Sequence, residues 1–238
     1  MHKLELDLKK LVPLIRYVLA AIIIGLSVMH IASIAVVHWM GVSDEFAVVS
    51  LFHLDKEQNF PTFFSVTLLL FCGAAVLFNG ATQNGSIVRF EPLAVIVALV
   101  FLFLALDEFA SIHERVAGTI NSHLGEHATI PHIWLAPYAI LGLAIGYVIL
   151  AWLGRFRVQL RSLLILSLGV AVAGGFGMEA IAAAIHIGAP TLFDTTISEV
   201  ALATIEEILE LVGFAMFGIL LAEESFGRNS KRALSAAE

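Results

Sequence analysis

The stretch EPLAVIVALVFLFLALDEFASIHER, residues 91–115, joins a membrane-compatible helix to a cluster of ionisable side chains. Pro92 stands where a helix can begin, and every residue from Leu93 to Leu106 is apolar. The ionisable residues that follow this run are Asp107, Glu108, His113 and Glu114. Because ionisable groups at membrane depth are costly and usually functional, the stretch predicts a site at one end of a transmembrane helix.

The composition of the whole chain indicates a membrane protein. Its 238 residues are 59% hydrophobic and only 14% charged, whereas a soluble domain carries about a quarter charged residues. The single cysteine, Cys72, lies in an apolar run, which excludes a disulfide framework and a thiolate metal site. We therefore expect an all-α fold, a polytopic membrane protein in which residues 1–238 form a single transmembrane helical domain.

The apolar runs predict a bundle of six transmembrane helices, each long enough to cross the hydrocarbon core of a bilayer. The predicted spans are residues 13–37, 61–78, 92–110, 133–153, 162–187 and 197–221. Residues 41–60 are too polar to span, and Ser43-Asp44-Glu45 is typical of a helix start. This segment is expected to be a short interfacial helix in the first outer loop.

The distribution of positive charge predicts the orientation. Two of the 13 Lys and Arg residues, Lys56 and Arg115, fall on one side of the predicted bundle. The other eleven fall on the opposite side: Lys3, Lys9, Lys10, Arg16, Arg89, Arg155, Arg157, Arg161, Arg228, Lys231 and Arg232. The positive-inside rule then places both termini in the cytoplasm, in a bacterial-type inner membrane.

With that orientation, acidic residues of three spans lie at similar depth toward the outer side. Spacings of seven or four residues place side chains on one face of a helix. The pairs with these spacings are Asp107 with Glu114, Glu179 with His186, and Glu206 with Glu210. Gly174, Gly175 and Gly177 precede Glu179 and favour close approach of a neighbouring helix. We expect the three faces to line one shared polar site.

Carboxylates this close in a low dielectric repel each other unless they are protonated or hold a cation. Carboxylate with imidazole is the ligand set of a divalent transition metal such as iron, manganese or zinc. We expect one ion, or two as in four-helix di-metal carboxylate proteins, although the Glu-x-x-His spacing of those proteins is absent. The candidate ligands are Asp107, His113, Glu114, Glu179, His186, Glu206 and Glu210. Glu108 and Glu207 point about 100° away from these neighbours and are expected to move protons.

Two protease families share fragments with this chain but not their complete motifs. Glu206-Glu207 and Phe109…His113 resemble parts of the intramembrane CAAX-type proteases, but their order is reversed and the arginine expected after the glutamates is missing. Rhomboid proteases have six spans and need a Gly-x-Ser-Gly element, which this sequence lacks. Neither resemblance implies an activity here.

The sequence favours a metal-dependent membrane enzyme that acts on an apolar or lipid-like substrate and is an oxidoreductase or a hydrolase. A cation or proton-coupled metal transporter and a non-catalytic subunit of a membrane complex are the alternatives. Transport is disfavoured because the inner halves of the spans carry few ionisable residues.

Expected partners are membrane lipids and the metal ion, with a homo-oligomer or a larger membrane complex left open. No nucleic-acid signature is present, because the basic residues follow membrane orientation. Whether His30 joins the site is also left open.

Overall fold

The computed structural model describes residues 8–41, 47–84, 87–124, 133–188 and 195–235. Almost all of them are helical. The helices are α1 Leu8–Met40, α2 Ala47–Ser50, α3 Phe60–Gly80, α4 Pro92–Ala110, α5 Ile112–Leu124, α6 Leu135–Leu153, α7 Val158–Val172, α8 Glu179–Gly188 and α9 Thr195–Ser235. A π-helical turn, Ala173–Met178, joins α7 to α8, and a short antiparallel hairpin, β1 Ala81–Asn84 with β2 Ile87–Phe90, joins α3 to α4.

Five helical segments among the described residues are long and apolar enough to cross a membrane. They are Leu11–Met40, Phe60–Gly80, Pro92–Ala110, Leu135–Leu153 and Val158–Ile185. The expected all-helical fold is therefore confirmed, with five helices that are long and apolar enough to span a membrane. Helix α9 is longer than any of them but carries the Glu206, Glu207 and Glu210 carboxylates within it.

Local sequence explains where the helices begin and end. Asn59 caps α3, because its side-chain oxygen accepts a hydrogen bond from the backbone N–H of Thr62 at 3.0 Å. Pro92 occupies the first turn of α4, where its missing N–H costs nothing. Helix α4 ends at Ser111, whose φ of 48° is left-handed, and α5 starts at the next residue.

One expectation about local structure needs correction. The helix of the third span does not run on past Ala110, so Asp107 and Glu114 do not share one helical face; the left-handed Ser111 redirects the chain between them. The interfacial helix expected in residues 41–60 is not confirmed: the helix that the structure describes there is the single turn α2, and residues 51–59 form turns and bends.

One end of the bundle, here called the basic end, is tied together by arginines. Arg155 pairs with Glu91 and donates to the backbone oxygen of Asn79 at 3.2 Å, which joins the α6–α7 turn to α3 and α4. Arg16 of α1 pairs with Glu223 of α9. Helix α4 begins and helix α6 finishes beside these arginines. Asp107, near the other terminus of α4, and Trp134, just before α6, therefore lie at the opposite end of the bundle.

The core beside the basic end is mainly apolar. Trp152, Phe101 and Phe217 are at most 1% exposed, and the Phe101 and Phe217 rings stack with centroids 5.2 Å apart. Close approach of α7 and α9 depends on Gly213, because a Cβ there would lie 2.5 Å from the backbone nitrogen of Ala171. Tight packing at this end thus fixes the helices whose far ends build the site.

Candidate metal centre

The end opposite the basic end contains a cavity of about 200 Å³. Its ionisable lining residues are Asp55, Lys56, Glu57, Asp107, Glu108, His113, Glu114, Glu179, Glu206, Glu207 and Glu210. Nine carboxylates therefore face one lysine and one histidine among the described lining residues. The lining is rich in acidic side chains, which offer oxygen ligands to a cation once they have lost their protons.

The structure brings most of the predicted site residues to this cavity. Six of the seven candidate ligands line it, namely Asp107, His113, Glu114, Glu179, Glu206 and Glu210, and so do Glu108 and Glu207. The seventh, His186, lies in α8, but its side chain is outside the described part of the chain. The residues come from α4, α5, α8 and α9, as the comparison of helix depths predicted.

Three of the lining residues come close enough to share one ion. One ligand atom each from Glu57, His113 and Glu114 lies within 4.8 Å of the other two. Oxygen Oε2 of Glu57 is buried and has no hydrogen-bond partner among the described residues. An imidazole with two carboxylates is a donor set that suits manganese, iron or zinc.

Asp107 is the hydrogen-bonding centre of the cavity wall. Its Oδ1 accepts from the backbone N–H of His113 at 3.0 Å and from the Tyr138 hydroxyl at 2.9 Å. Its Oδ2 lies 3.3 Å from Nδ1 of His113. The His113 ring also packs against Trp134 with centroids 5.1 Å apart. These contacts hold the imidazole between α4 and α6.

Glu57 and His113, which lie outside the membrane-spanning helices, respond to this environment. Burial, followed by the charges of Glu108 and Glu114, raises the pKa of Glu57 to about 7. Burial alone would lower the pKa of His113, but its hydrogen bond to Asp107 and the surrounding carboxylates outweigh burial and raise it. Both groups therefore bind protons more tightly than they would in water when the cavity holds no cation.

A π-helical turn brings α9 into the cavity wall. The turn Ala173–Met178 comes immediately before Glu179, and such turns occur often at functional sites. A Cβ on Gly175 would overlap the Glu210 carboxylate, whereas a Cβ on Gly174 would lie 2.7 Å from the backbone oxygen of Glu206. The glycines thus leave room for the α9 backbone and for one of its carboxylates. Gly177 meets no atom of α9.

His30 is a structural residue and not a ligand. It is 1% exposed, its Nδ1 accepts from the backbone N–H of Leu54 at 3.1 Å, and its Nε2 lies 2.8 Å from Oγ1 of Thr204. Thr204 donates its own hydroxyl proton to the backbone oxygen of Val200, so Nε2 of His30 must donate. Both ring nitrogens are engaged, and the ring anchors the loop that carries Glu57 to α1 and α9.

Comparison with known proteins gives a family but no activity. The profile of one family, described as a domain of unknown function (DUF8692), matches residues 16–223. The chain belongs to the DUF8692 family. No curated protein and no solved structure matches it. The DUF8692 match includes every residue that lines the cavity.

Three contributors to the cavity of this DUF8692 protein were not predicted from the sequence. Glu57 and Asp55 lie in turns after α2, in a segment expected to be an interfacial helix, so no helical face pointed to them. The sequence does predict that both residues lie on the same side of the membrane as the other acids, and this position could have pointed to them. Tyr138 was interpreted as an interfacial aromatic, and its bond to Asp107 has no signature in the sequence.

Three weakly polar residues of α3, Ser65, Cys72 and Asn79, recur every seven residues and form a stripe that has two roles. Ser65, at the cavity end, hydrogen-bonds Glu108. Farther along, Cys72 contacts the backbone oxygen of Phe214 at 3.2 Å, and Asn79 donates to that of Leu221 at 2.8 Å. The stripe therefore joins α3 to α9 and, at one end only, supports the acidic cavity.

His123, near the end of α5, lies outside the cavity lining. It is exposed, and its ring bonds the backbone oxygen of Thr119 at 2.8 Å within α5. His127 and His132 lie outside the described residues.

Proposed function

We propose that this DUF8692 protein is a metal-dependent membrane enzyme that acts on an apolar or lipid-like substrate. The observation that carries the proposal is the meeting of Glu57, His113 and Glu114 at the edge of the acidic cavity. Iron, manganese or zinc is the expected ion.

A cation accounts for an arrangement that is otherwise unfavourable. Nine acidic side chains line one cavity, where ionised carboxylates repel one another and those that are buried lose hydration energy. Glu57, His113 and Glu114 would hold one ion. Glu179, Glu206 and Glu210 on the facing helices offer oxygen ligands for a second ion, with His186 placed on the same helix as Glu179. Asp107, included among the candidate ligands, also lines the cavity.

The surroundings of the acids support a catalytic role on a hydrophobic substrate. A bound metal of this class supplies Lewis acidity or an activated water. Glu108 and Glu207 line the cavity and would hold or move protons near the ion. Apolar side chains complete the lining: Leu54, Leu69, Leu104, Phe176 and Phe214. A lipid-like molecule would contact both apolar side chains and polar groups there. Oxidation and hydrolysis are both compatible with these groups.

We also propose the orientation. Helix α9 would be the sixth span, residues 1–238 would form a single transmembrane domain, and residues 41–60 would lie at the membrane surface. Arg16, Arg155 and Arg157 lie together at the basic end, on the side that the positive-inside rule assigns to the cytoplasm. The cavity would then face the outside of a bacterial-type inner membrane, with both termini cytoplasmic. Membrane lipids would surround the bundle, and a homo-oligomer or a larger complex would be compatible with it.

Transport of a cation is the second candidate, because the cavity is anionic enough to attract one. A transporter also needs a route to the other face. Trp152, Phe101 and Phe217 fill the bundle between the cavity and the basic end. This packing favours a site that opens toward one side. A purely structural role in a complex would not require a metal.

Metal analysis of the purified protein tests the proposal. The protein would be extracted in detergent, and its iron, manganese and zinc content compared among the wild type, Glu57→Gln and Glu114→Gln. We expect about one or two ions per chain in the wild type and a loss in both variants. Glu223→Gln is the matched control, because Glu223 pairs with Arg16 at the basic end. A wild type without bound metal would contradict the proposal.

A second measurement separates the enzyme from the alternatives. The metal-loaded protein would be placed in liposomes of total bacterial lipid, and the lipids compared by mass spectrometry with those incubated with Glu207→Gln. Metal-dependent conversion of a lipid supports the enzyme. Metal flux across the liposome membrane supports transport instead. Bound metal with neither result would leave a non-catalytic subunit.

A further inference from the structure

We infer that Asp107 and Tyr138 are positioning residues that hold His113 with Nε2 as its metal-binding nitrogen. The inference rests on the proposed metal site. It removes Asp107 from the direct ligands and adds Tyr138, a residue to which the sequence assigned no role in the site.

The Asp107 carboxylate has little capacity left for a metal ion. Its Oδ1 accepts two hydrogen bonds, from the backbone N–H of His113 and from the hydroxyl of Tyr138, and a carboxylate oxygen has two lone pairs. Its Oδ2 accepts from Nδ1 of His113 at 3.3 Å. The residue is 9% exposed, so binding an ion directly would require breaking buried hydrogen bonds.

The same bonds select the tautomer of His113. When Nδ1 donates its proton to Asp107, the neutral imidazole carries its free lone pair on Nε2. A metal-binding histidine commonly donates its other nitrogen to a carboxylate, which fixes the ring and raises its basicity. Here the backbone N–H of His113 bonds the same carboxylate, so main chain and ring are held together. Trp134 packs against the ring.

The backbone explains why Asp107 and His113 meet although they lie on different helices. Ser111 adopts a left-handed conformation and closes α4 by donating its N–H to the backbone oxygen of Asp107. Helix α5 therefore begins beside the Asp107 side chain, where its free N–H groups favour a carboxylate. Tyr138 extends the network to α6. Three helices thus orient one imidazole.

Metal titration of the detergent-purified protein tests the inference. Zn²⁺ affinity would be measured by calorimetry for the wild type, Tyr138→Phe, Asp107→Ala and the double variant. Loss of an outer hydrogen-bond partner of a ligand lowers affinity by about 10–100-fold, and we expect this range for Asp107→Ala and a smaller decrease for Tyr138→Phe. Because the two residues act through the same bond, the double variant should be no weaker than Asp107→Ala.

The controls separate positioning from ligation and from misfolding. Tyr147→Phe, an exposed tyrosine on the same helix, should leave affinity unchanged. X-ray absorption at the zinc edge should give the same number of nitrogen and oxygen ligands in the wild type and in Asp107→Ala. If that variant does not fold, Asp107→Asn, which keeps the side-chain shape, replaces it. Nitrogen NMR of the zinc-loaded wild type should show His113 with a protonated Nδ1 and a metal-bound Nε2.

Two results would overturn the inference while leaving the metal site intact. One is the loss of a first-coordination ligand in the Asp107 variant, which would make Asp107 a direct ligand. The other is a metal-bound Nδ1 in His113. A wild type that binds no zinc, iron or manganese at all would instead remove the proposed function itself, so the two failures are distinguishable.

Discussion

At the basic end of the bundle, Trp152, Phe101 and Phe217 are completely buried, and arginines pair with glutamates at the rim. At the other end, nine carboxylates share a cavity of about 200 Å³ with one lysine and one histidine. The same helices, α4, α6 and α9, run through both regions. One chain therefore builds an apolar, close-packed half and an acidic, open half along continuous helices.

The difference indicates that the packed half stabilises the fold and that the acidic half forms the candidate site. Buried apolar side chains at native density stabilise helix packing, whereas like charges in a low dielectric destabilise it. The acidic half can therefore be retained only because the packed half holds the helices in place. Substitutions in the packed half should therefore change stability and leave metal affinity unchanged, and substitutions in the acidic half should change metal affinity with smaller effects on stability.

The largest effect is expected for Phe217→Ala. Phe217 is 0% exposed and stacks on Phe101, so its truncation leaves a cavity in the packed half. Such a change costs about 3–5 kcal/mol in the free energy of unfolding. Thermal unfolding in detergent would measure the loss. The fraction that remains folded should bind metal with wild-type affinity; a weakened site in that fraction would contradict the separation of the two halves.

Gly213 and Gly175 offer a finer comparison of the two halves, because a Cβ added at each would meet a different kind of atom. A Cβ on Gly213 would meet backbone atoms of Ala171 and Ser167, which cannot move unless the helices separate, so Gly213→Ala should cost about 1–3 kcal/mol. A Cβ on Gly175 would meet only the flexible Glu210 side chain. Gly175→Ala should therefore displace that carboxylate and weaken metal binding with a smaller change in stability.

Gly169→Ala is the control for both glycine variants. Gly169 lies in α7, where an added Cβ would meet no atom within 4 Å. Alanine is favoured over glycine in a helix, so this variant should be equally stable or slightly more stable. Calorimetric metal titration and unfolding of the three proteins would give the comparison. Equal metal affinity in Gly175→Ala and Gly169→Ala would show that Glu210 does not contribute to the metal site.

Much of the architecture could be predicted from the sequence because a bilayer constrains it strongly. Apolar runs bounded by Pro92 and by polar turns predict helices, and α4 covers the same residues, 92–110, as the third predicted span. The meeting of acids from several helices was also predictable. Alternating helix direction and the position of the arginines fix the end at which each acid lies.

The remaining features depend on tertiary contacts that sequence periodicity does not encode. Asp107 and Glu114 reach the same cavity through a left-handed Ser111, and not through the shared helical face that their spacing predicted. Glu57 enters from turns whose shape depends on the Asn59 cap and on the His30 contact to Leu54. Long-range side-chain contacts of this kind have no local pattern in a single sequence.

The smallest expected effect is on the pH dependence of stability, and it concerns the acidic half only. Burial and neighbouring carboxylates raise the pKa of Glu57 from 4.5 to about 7 in the folded, metal-free protein. Below pH 4.5 both folded and unfolded chains hold the proton, so the stabilisation is complete there; it is lost as pH rises through 7. The raised pKa of His113 acts in the same direction. Because Glu57 is only partly buried and water screens its charge, we expect a decrease of a few degrees in the unfolding midpoint.

Metal loading should reverse this trend, because ligands must lose their protons before they bind an ion. Unfolding midpoints between pH 5 and pH 8 would therefore fall for the metal-free protein and rise for the metal-loaded one. Glu57→Gln should flatten both curves, whereas Glu223→Gln, at the basic end, should keep the wild-type dependence of both. If Glu57→Gln leaves the metal-loaded curve unchanged, Glu57 does not bind the ion, and the ligands must be sought among the carboxylates of α8 and α9.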